Sequence, residues 1–178
     1  VALAVAKAAE VMQDGVSAYG WRRQQEYKLV IEVSGNILKN GMGVGIPGTG
    51  MVGLHIAAAL GAVCGKSSYG LEVLHDLDEG SVAVAKKLVE SESITLSLAE
   101  TDLKLYVKVS VEYLGHVSYA VIQKDHDNIV ETAFDGVVKN IDSKVSAEVA
   151  PEQKTTLDYG LTIKEILEFA STVAYDDI

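Results

Sequence analysis

The stretch LKLYVKVSVEYLGHVSYAVIQ, Leu103–Gln123, decides the architecture of this chain. Apolar Leu103, Leu105, Val107, Val109, Val111 and Tyr113 alternate with Lys104, Tyr106, Lys108, Ser110 and Glu112. A period of two puts one set on each face of a strand. Gly115 turns the chain, and His116–Gln123 runs back as a second strand. Asn128–Phe134 follows as a third. Asp135–Gly136, a dipeptide suited to a tight hairpin, then leads into Val137 and Val138. Strands joined by turns this short pair antiparallel.

Upstream, Ile94–Leu98 alternates in the same way, as does Tyr27–Ser34, with Tyr27, Leu29, Ile31 and Val33 on one face. Between these two strands the period changes. Met51–Val63 is read as a helix of small and branched apolar residues that Gly65 ends, and Ala57, Ala58 and Ala59 allow close packing. Gly80–Glu90 places Val82, Ala85, Leu88 and Val89 on one helical face, with Lys86, Lys87 and Glu90 outside. Val1–Met12 is apolar on nearly every side, which demands burial. Thr162 and Glu165 form a capping box that opens a C-terminal helix, with Ile163, Ile166, Leu167 and Ala170 inward. Residues 13–26 form a connection that Trp21 anchors, and 142–160, with Pro151, are polar and irregular. The expected fold is one α+β domain over residues 1–178, with helices packed on a mostly antiparallel sheet. Its parts are a glycine-rich loop with helices (34–90), a β-rich part (93–141) and a C-terminal helix (162–173).

The net charge of −10 argues against a nucleic-acid partner, because such surfaces are basic. No apolar run is long enough to cross a bilayer, and no signal-peptide pattern opens the chain. Cys64 is the single cysteine, so no disulfide can form within the chain and a cytoplasmic setting is expected. The chain opens inside an apolar helix and stops just after another, and both ends read as cuts in a longer protein.

The densest chemistry lies in SGNILKNGMGVGIPGTGMVGLHIAAALGAVCG, Ser34–Gly65. Glycines crowd Gly41–Gly61 beside Asn36, Lys39, Asn40 and Thr49, as in a shaped polar loop leading into a helix. Gly50 and Met51 mark the expected helix N-terminus, whose N–H groups suit a carboxylate or phosphate. The plainer alternative is that Asn36 and Asn40 only serve turns, with Lys39 solvated. GTGMVG, Gly48–Gly53, matches the dinucleotide spacing G-x-G-x-x-G, with Glu72 placed as a ribose-binding acid would be. However, no strand immediately precedes it, and the β-rich region that follows lacks helix–strand alternation. A dinucleotide site is therefore the lesser alternative. His126 in KDHDNIV stands between strands with Asp125, Asp127 and Asn128, either as a proton carrier or as a turn residue. His75, Asp76 and Asp78 carry an unspecific metal-like spacing, and Cys64 reads as a small buried hydrophobe.

The long glycine signature resembles that of the iron–sulfur L-serine dehydratase alpha-chain family, and more closely its L-cysteine desulfidase branch. LEVLHDL, HDNIV and TIKEILEFA agree with it in order and spacing. The resemblance implies α,β-elimination from a small amino acid, giving pyruvate and ammonia. It implies a [4Fe–4S] cluster in the intact protein, held by cysteines outside this chain, so that the chain itself holds no cofactor and is inactive alone. It also implies that Asn36, Lys39, Asn40, Thr49, Gly50 and Met51 bind the substrate carboxylate and that His126 and Asn128 complete the pocket, with His126 catalytic. Asp125 and Asp127 depart from the family pattern, and their charge would weaken carboxylate binding while raising histidine basicity. The expected partners are a small amino acid, the remaining parts of the same protein and a second copy in a homodimer. The alternative function is an amino-acid-binding or dimerisation module without chemistry.

Overall fold

Leu29, Ile31 and Val33 are fully buried on one side of β1 (Lys28–Val33), and Val107, Val109 and Val111 continue that buried side on β5 (Tyr106–Tyr113). A computed structural model of the chain describes residues 1–16, 27–46, 48–141 and 162–172. Its main sheet adds β4 (Ile94–Leu98), β6 (His116–Gln123), β7 (Ile129–Phe134) and β8 (Val137–Asn140). The six strands lie in the order β4-β1-β5-β6-β7-β8. Only β1 and β4 pair parallel; every other neighbour is antiparallel. The long helical crossover between β1 and β4 is what permits that parallel pair.

The expected α+β class is therefore the observed one, with boundaries that shift for local reasons. β5 starts at Tyr106, so Leu103 and Leu105 fall outside it. There the Lys104 carbonyl accepts a side-chain bond from Ser34, and the Leu105 carbonyl accepts the Lys124 N–H. Asp135 and Gly136 turn β7 into β8 with φ of 46° and 80°, the left-handed pair such a hairpin needs.

Helix α1 (Ala2–Gly15) is buried between the sheet, at β5, β6 and β7, and helix α3 (Leu54–Val63). Ala4, Val5, Ala6, Ala8 and Met12 are all sealed from solvent. Small residues bring the two helices close: a Cβ on Gly61 would lie 2.5 Å from the Ala2 carbonyl oxygen. Helix α4 (Glu79–Glu90) packs on α3 through Ala85, and the Asp78 carboxylate caps it by accepting the Ser81 N–H at 2.6 Å.

The described chain divides into two compact units, Val1–Lys144 and Val145–Ile178. Within the second, α5 (Ile163–Thr172) leaves Leu167 and Phe169 exposed, so Leu167 is not on an inner face. Trp21 and the segment 142–160 lie outside the described residues.

Candidate functional site

Two segments singled out by sequence flank one end of the sheet. The first is not a loop at its start: Gly35–Gly41 forms a short helix, α2, with Asn36, Lys39 and Asn40 exposed on it. Ser34, only 2% exposed, ties this helix to the sheet. Its N–H donates to the Tyr106 carbonyl at 2.9 Å and its hydroxyl to the Lys104 carbonyl at 2.9 Å, while Oγ accepts the Tyr106 N–H at 3.3 Å. The second segment is the turn between β6 and β7, where the Lys124 N–H donates to the Leu105 carbonyl at 3.2 Å. Residues 104–106 therefore hold α2 on one side and the His126 turn on the other. His126 is exposed there. Asn128 is half-buried and braces the turn, donating from Nδ2 to the Gln123 carbonyl at 2.9 Å.

The glycine-rich stretch corrects an expectation. Met51 does not begin a helix: Met51–Val52 is a strand, β3, paired antiparallel with β2 (Gly45–Ile46), and α3 starts at Leu54 behind Gly53. The hairpin wins because Gly48 and Gly50 supply φ of 80° and 67° at its turn, and because Thr49 locks it from inside. The Thr49 hydroxyl, 3% exposed, donates to the Ile46 carbonyl at 2.7 Å and accepts the Met51 N–H at 3.0 Å. Thr49 is thus a turn residue, and GTGMVG spans a hairpin instead of cradling a phosphate between strand and helix. Exposed apolar side chains lie on the connection that leads into the hairpin and on β3: Met42 at 66% and Val44 at 53% on the first, Val52 at 62% on the second. Gly43, Gly45 and Gly50 would each point a Cβ into open space.

The other marked residues are held structurally. Asp76 forms an ion pair with Lys66 and accepts from the Tyr69 hydroxyl at 3.3 Å. The Lys66 ammonium holds the Asp76 carboxyl below the usual range, while Asp76 pushes the Lys66 ammonium up. Asp78 is the α4 cap, and the Ser81 N–H holds its carboxyl low. Among the described residues no group of three His, Cys, Asp or Glu side chains is placed to hold a metal ion. Cys64 ends α3 with its thiol donating to the Leu60 carbonyl at 3.4 Å. Among the described residues, no helix is long and apolar enough to cross a membrane.

Sequence reasoning missed two features. Ser34 gave no signal beyond its place after a strand. His116 and Asp135 meet only through the β6–β7 register, with Nδ1 2.7 Å from Oδ2. That bond, followed by the Val117 N–H at 2.9 Å on Oδ1, holds the Asp135 carboxyl below its ordinary range. The His116 ring stacks on Phe134, with centroids 5.6 Å apart.

No family model matches the chain, and no solved structure matches it. Among curated proteins it is similar to a UPF0597 protein of Phocaeicola vulgatus, 40% identical over 100% of this chain and 38% of that protein. It is likewise similar to the UPF0597 protein BF3560 of Bacteroides fragilis, 41% identical over 100% of this chain and 39% of the relative. A UPF0597 protein of Methanocella arvoryzae is 40% identical over 85% of this chain and 35% of its own length. The chain thus spans roughly two fifths of the length of these relatives. These matches correct the resemblance drawn from the glycine signature. Similarity over the full chain runs to UPF0597 proteins, whose name carries no iron–sulfur enzyme, and the assignment to the L-serine dehydratase and L-cysteine desulfidase family is withdrawn.

Proposed function

We propose that the sheet end carrying α2 and the 124–128 turn binds the carboxylate of a small amino acid. The observation that supports this is the Ser34 link, which sets α2 and the His126 turn on the same short stretch, residues 104–106. Lys39 supplies the charge that a carboxylate needs, Asn36 and Asn40 supply amide donors, and His126 is the group able to carry a proton. Asn128 braces the turn that carries His126, and Thr49 locks the β2–β3 hairpin. The intact protein works in the cytoplasm on this reading.

Calorimetry with L-cysteine and L-serine tests the binding step. One of them should bind, and Lys39→Ala and His126→Ala should each weaken it by about 1.5–3 kcal/mol, roughly ten- to a hundredfold in Kd. Absence of binding by both amino acids, or unchanged affinity in both variants, would falsify the assignment. A second reading, a contact surface between protein chains, draws on the exposed Met42, Val44 and Val52. A concentration-dependent dimer that Val44→Asp dissolves would favour it.

A further inference from the structure

Strand β4 is one edge of the main sheet, with β1 as its neighbour. The phase of their parallel ladder is fixed at both ends. The Leu29 N–H donates to the Ser93 carbonyl at 2.8 Å and the Ala99 N–H to the Val33 carbonyl at 2.9 Å, with Leu29 opposite Ile94 and Val33 opposite Leu98. In such a ladder every second residue of a strand points its N–H and C=O at the neighbour. Ser93, Thr95, Ser97 and Ala99 therefore face β1, and Ile94, Leu96 and Leu98 turn their backbone groups outward. No hydrogen bond among the described residues uses those outward groups.

This edge lacks the usual protection. It reads ITLSL, without charge, proline or glycine, whereas β8 at the other edge carries Lys139. Charges and prolines blunt sheet edges because unpaired N–H and C=O groups template another strand. Leu98 is 61% exposed on the same face as buried Ile94 and half-buried Leu96, so the apolar face of the sheet runs out past its last strand. Thr95 and Ser97 are exposed on the opposite face. The charges stand at the ends instead. Glu90 and Glu92 precede the strand and Glu100 and Asp102 follow it, all exposed and none in an ion pair among the described residues.

We propose that the β4 edge pairs with an extended segment of another protein, apolar at alternate positions and basic at both ends. Its backbone takes up the outward N–H and C=O groups of Ile94, Leu96 and Leu98, its apolar side chains cover Leu98, and Lys or Arg at its ends meets the four carboxylates. A second copy fits this edge badly. Antiparallel pairing of β4 with itself about Leu96 sets Glu92 opposite Glu100 at both ends, and each chain carries a net charge of −10. The inference does not rest on amino-acid binding at the α2 end.

The probe is an alternating valine–threonine peptide with paired lysines at both ends, titrated into the full 178-residue chain and followed by NMR hydrogen exchange. In the free chain the Thr95 and Ser97 amides should exchange slowly and those of Ile94, Leu96 and Leu98 fast. The peptide should slow these three by at least about tenfold and leave Thr95 and Ser97 unchanged, an alternation that binding elsewhere on the surface does not produce. The same peptide N-methylated at its pairing amides, or with glutamates in place of the lysines, should bind at least about tenfold more weakly. Glu92→Lys and Glu100→Lys, both outside the strand, should each weaken the lysine peptide and strengthen the glutamate peptide. No slowing at the three amides, or equal affinity for the lysine peptide and either of its counterparts, would overturn the proposal. Slow exchange at those amides in the peptide-free chain would overturn it too, and its growth with protein concentration would give the edge to a second copy.

Discussion

Tyr119 shows how far a single side chain departs from what its type suggests. On the sheet face away from α1 its hydroxyl donates to Glu131 at 2.6 Å, and the Lys108 ammonium sits 4.9 Å from its ring centroid and 4.0 Å from Glu32. The Glu131 bond, then desolvation, push the phenol from 10.0 up to about 12. The fold therefore favours the neutral phenol. Its contribution to stability is complete below the unfolded value of 10.0 and is lost as pH rises through about 12. An ultraviolet phenolate titration should find a late-titrating tyrosine that is lost in Tyr119→Phe, together with part of the loss of stability in that alkaline window. If the phenol lost in the variant were one that titrates near 10, the Glu131 bond would be contradicted. Nothing in the sequence announces this partner, because it comes from the register of β6 on β7. Thr49 makes the same point in the glycine loop. Its polarity next to glycines was legible, but only the folded hairpin shows that its hydroxyl serves its own turn.

Helices α1 and α3 come together at glycine, with Gly61 against Ala2 and Gly65, just past α3, against Ala6. The run of alanines in α3 announced close packing, and the contact itself falls at Gly61. A Cβ there would meet the Ala2 backbone, which cannot swing aside as a flexible side chain can. Gly61→Ala should cost about 1–3 kcal/mol, measured as a lower midpoint in denaturant. An unchanged midpoint would mean that the helices sit further apart. Strand β5 was legible from Tyr106 onward, because alternation over eight residues admits only one pairing face, and β6 was legible from the Gly115 turn that returns the chain beside it. Helix α2 and the β2–β3 hairpin were not. Their seven and two-plus-two residues are too short for a period to emerge, and glycine carries no signal of burial.

Across the molecule the sheet works as a spacer between two chemically different ends. The α2 end presents Lys39 and His126, and the far end holds His116 against Asp135. The α+β class, the strands of the β-rich half and the burial of α1 follow from the sequence by itself, because hydrophobic period and turn chemistry are local properties. The parallel place of β4, the hairpin at Met51 and the pairing of His116 with Asp135 were decided only by tertiary structure. Each depends on which distant segment supplies the next hydrogen bond, and residue spacing along the chain carries no record of that choice.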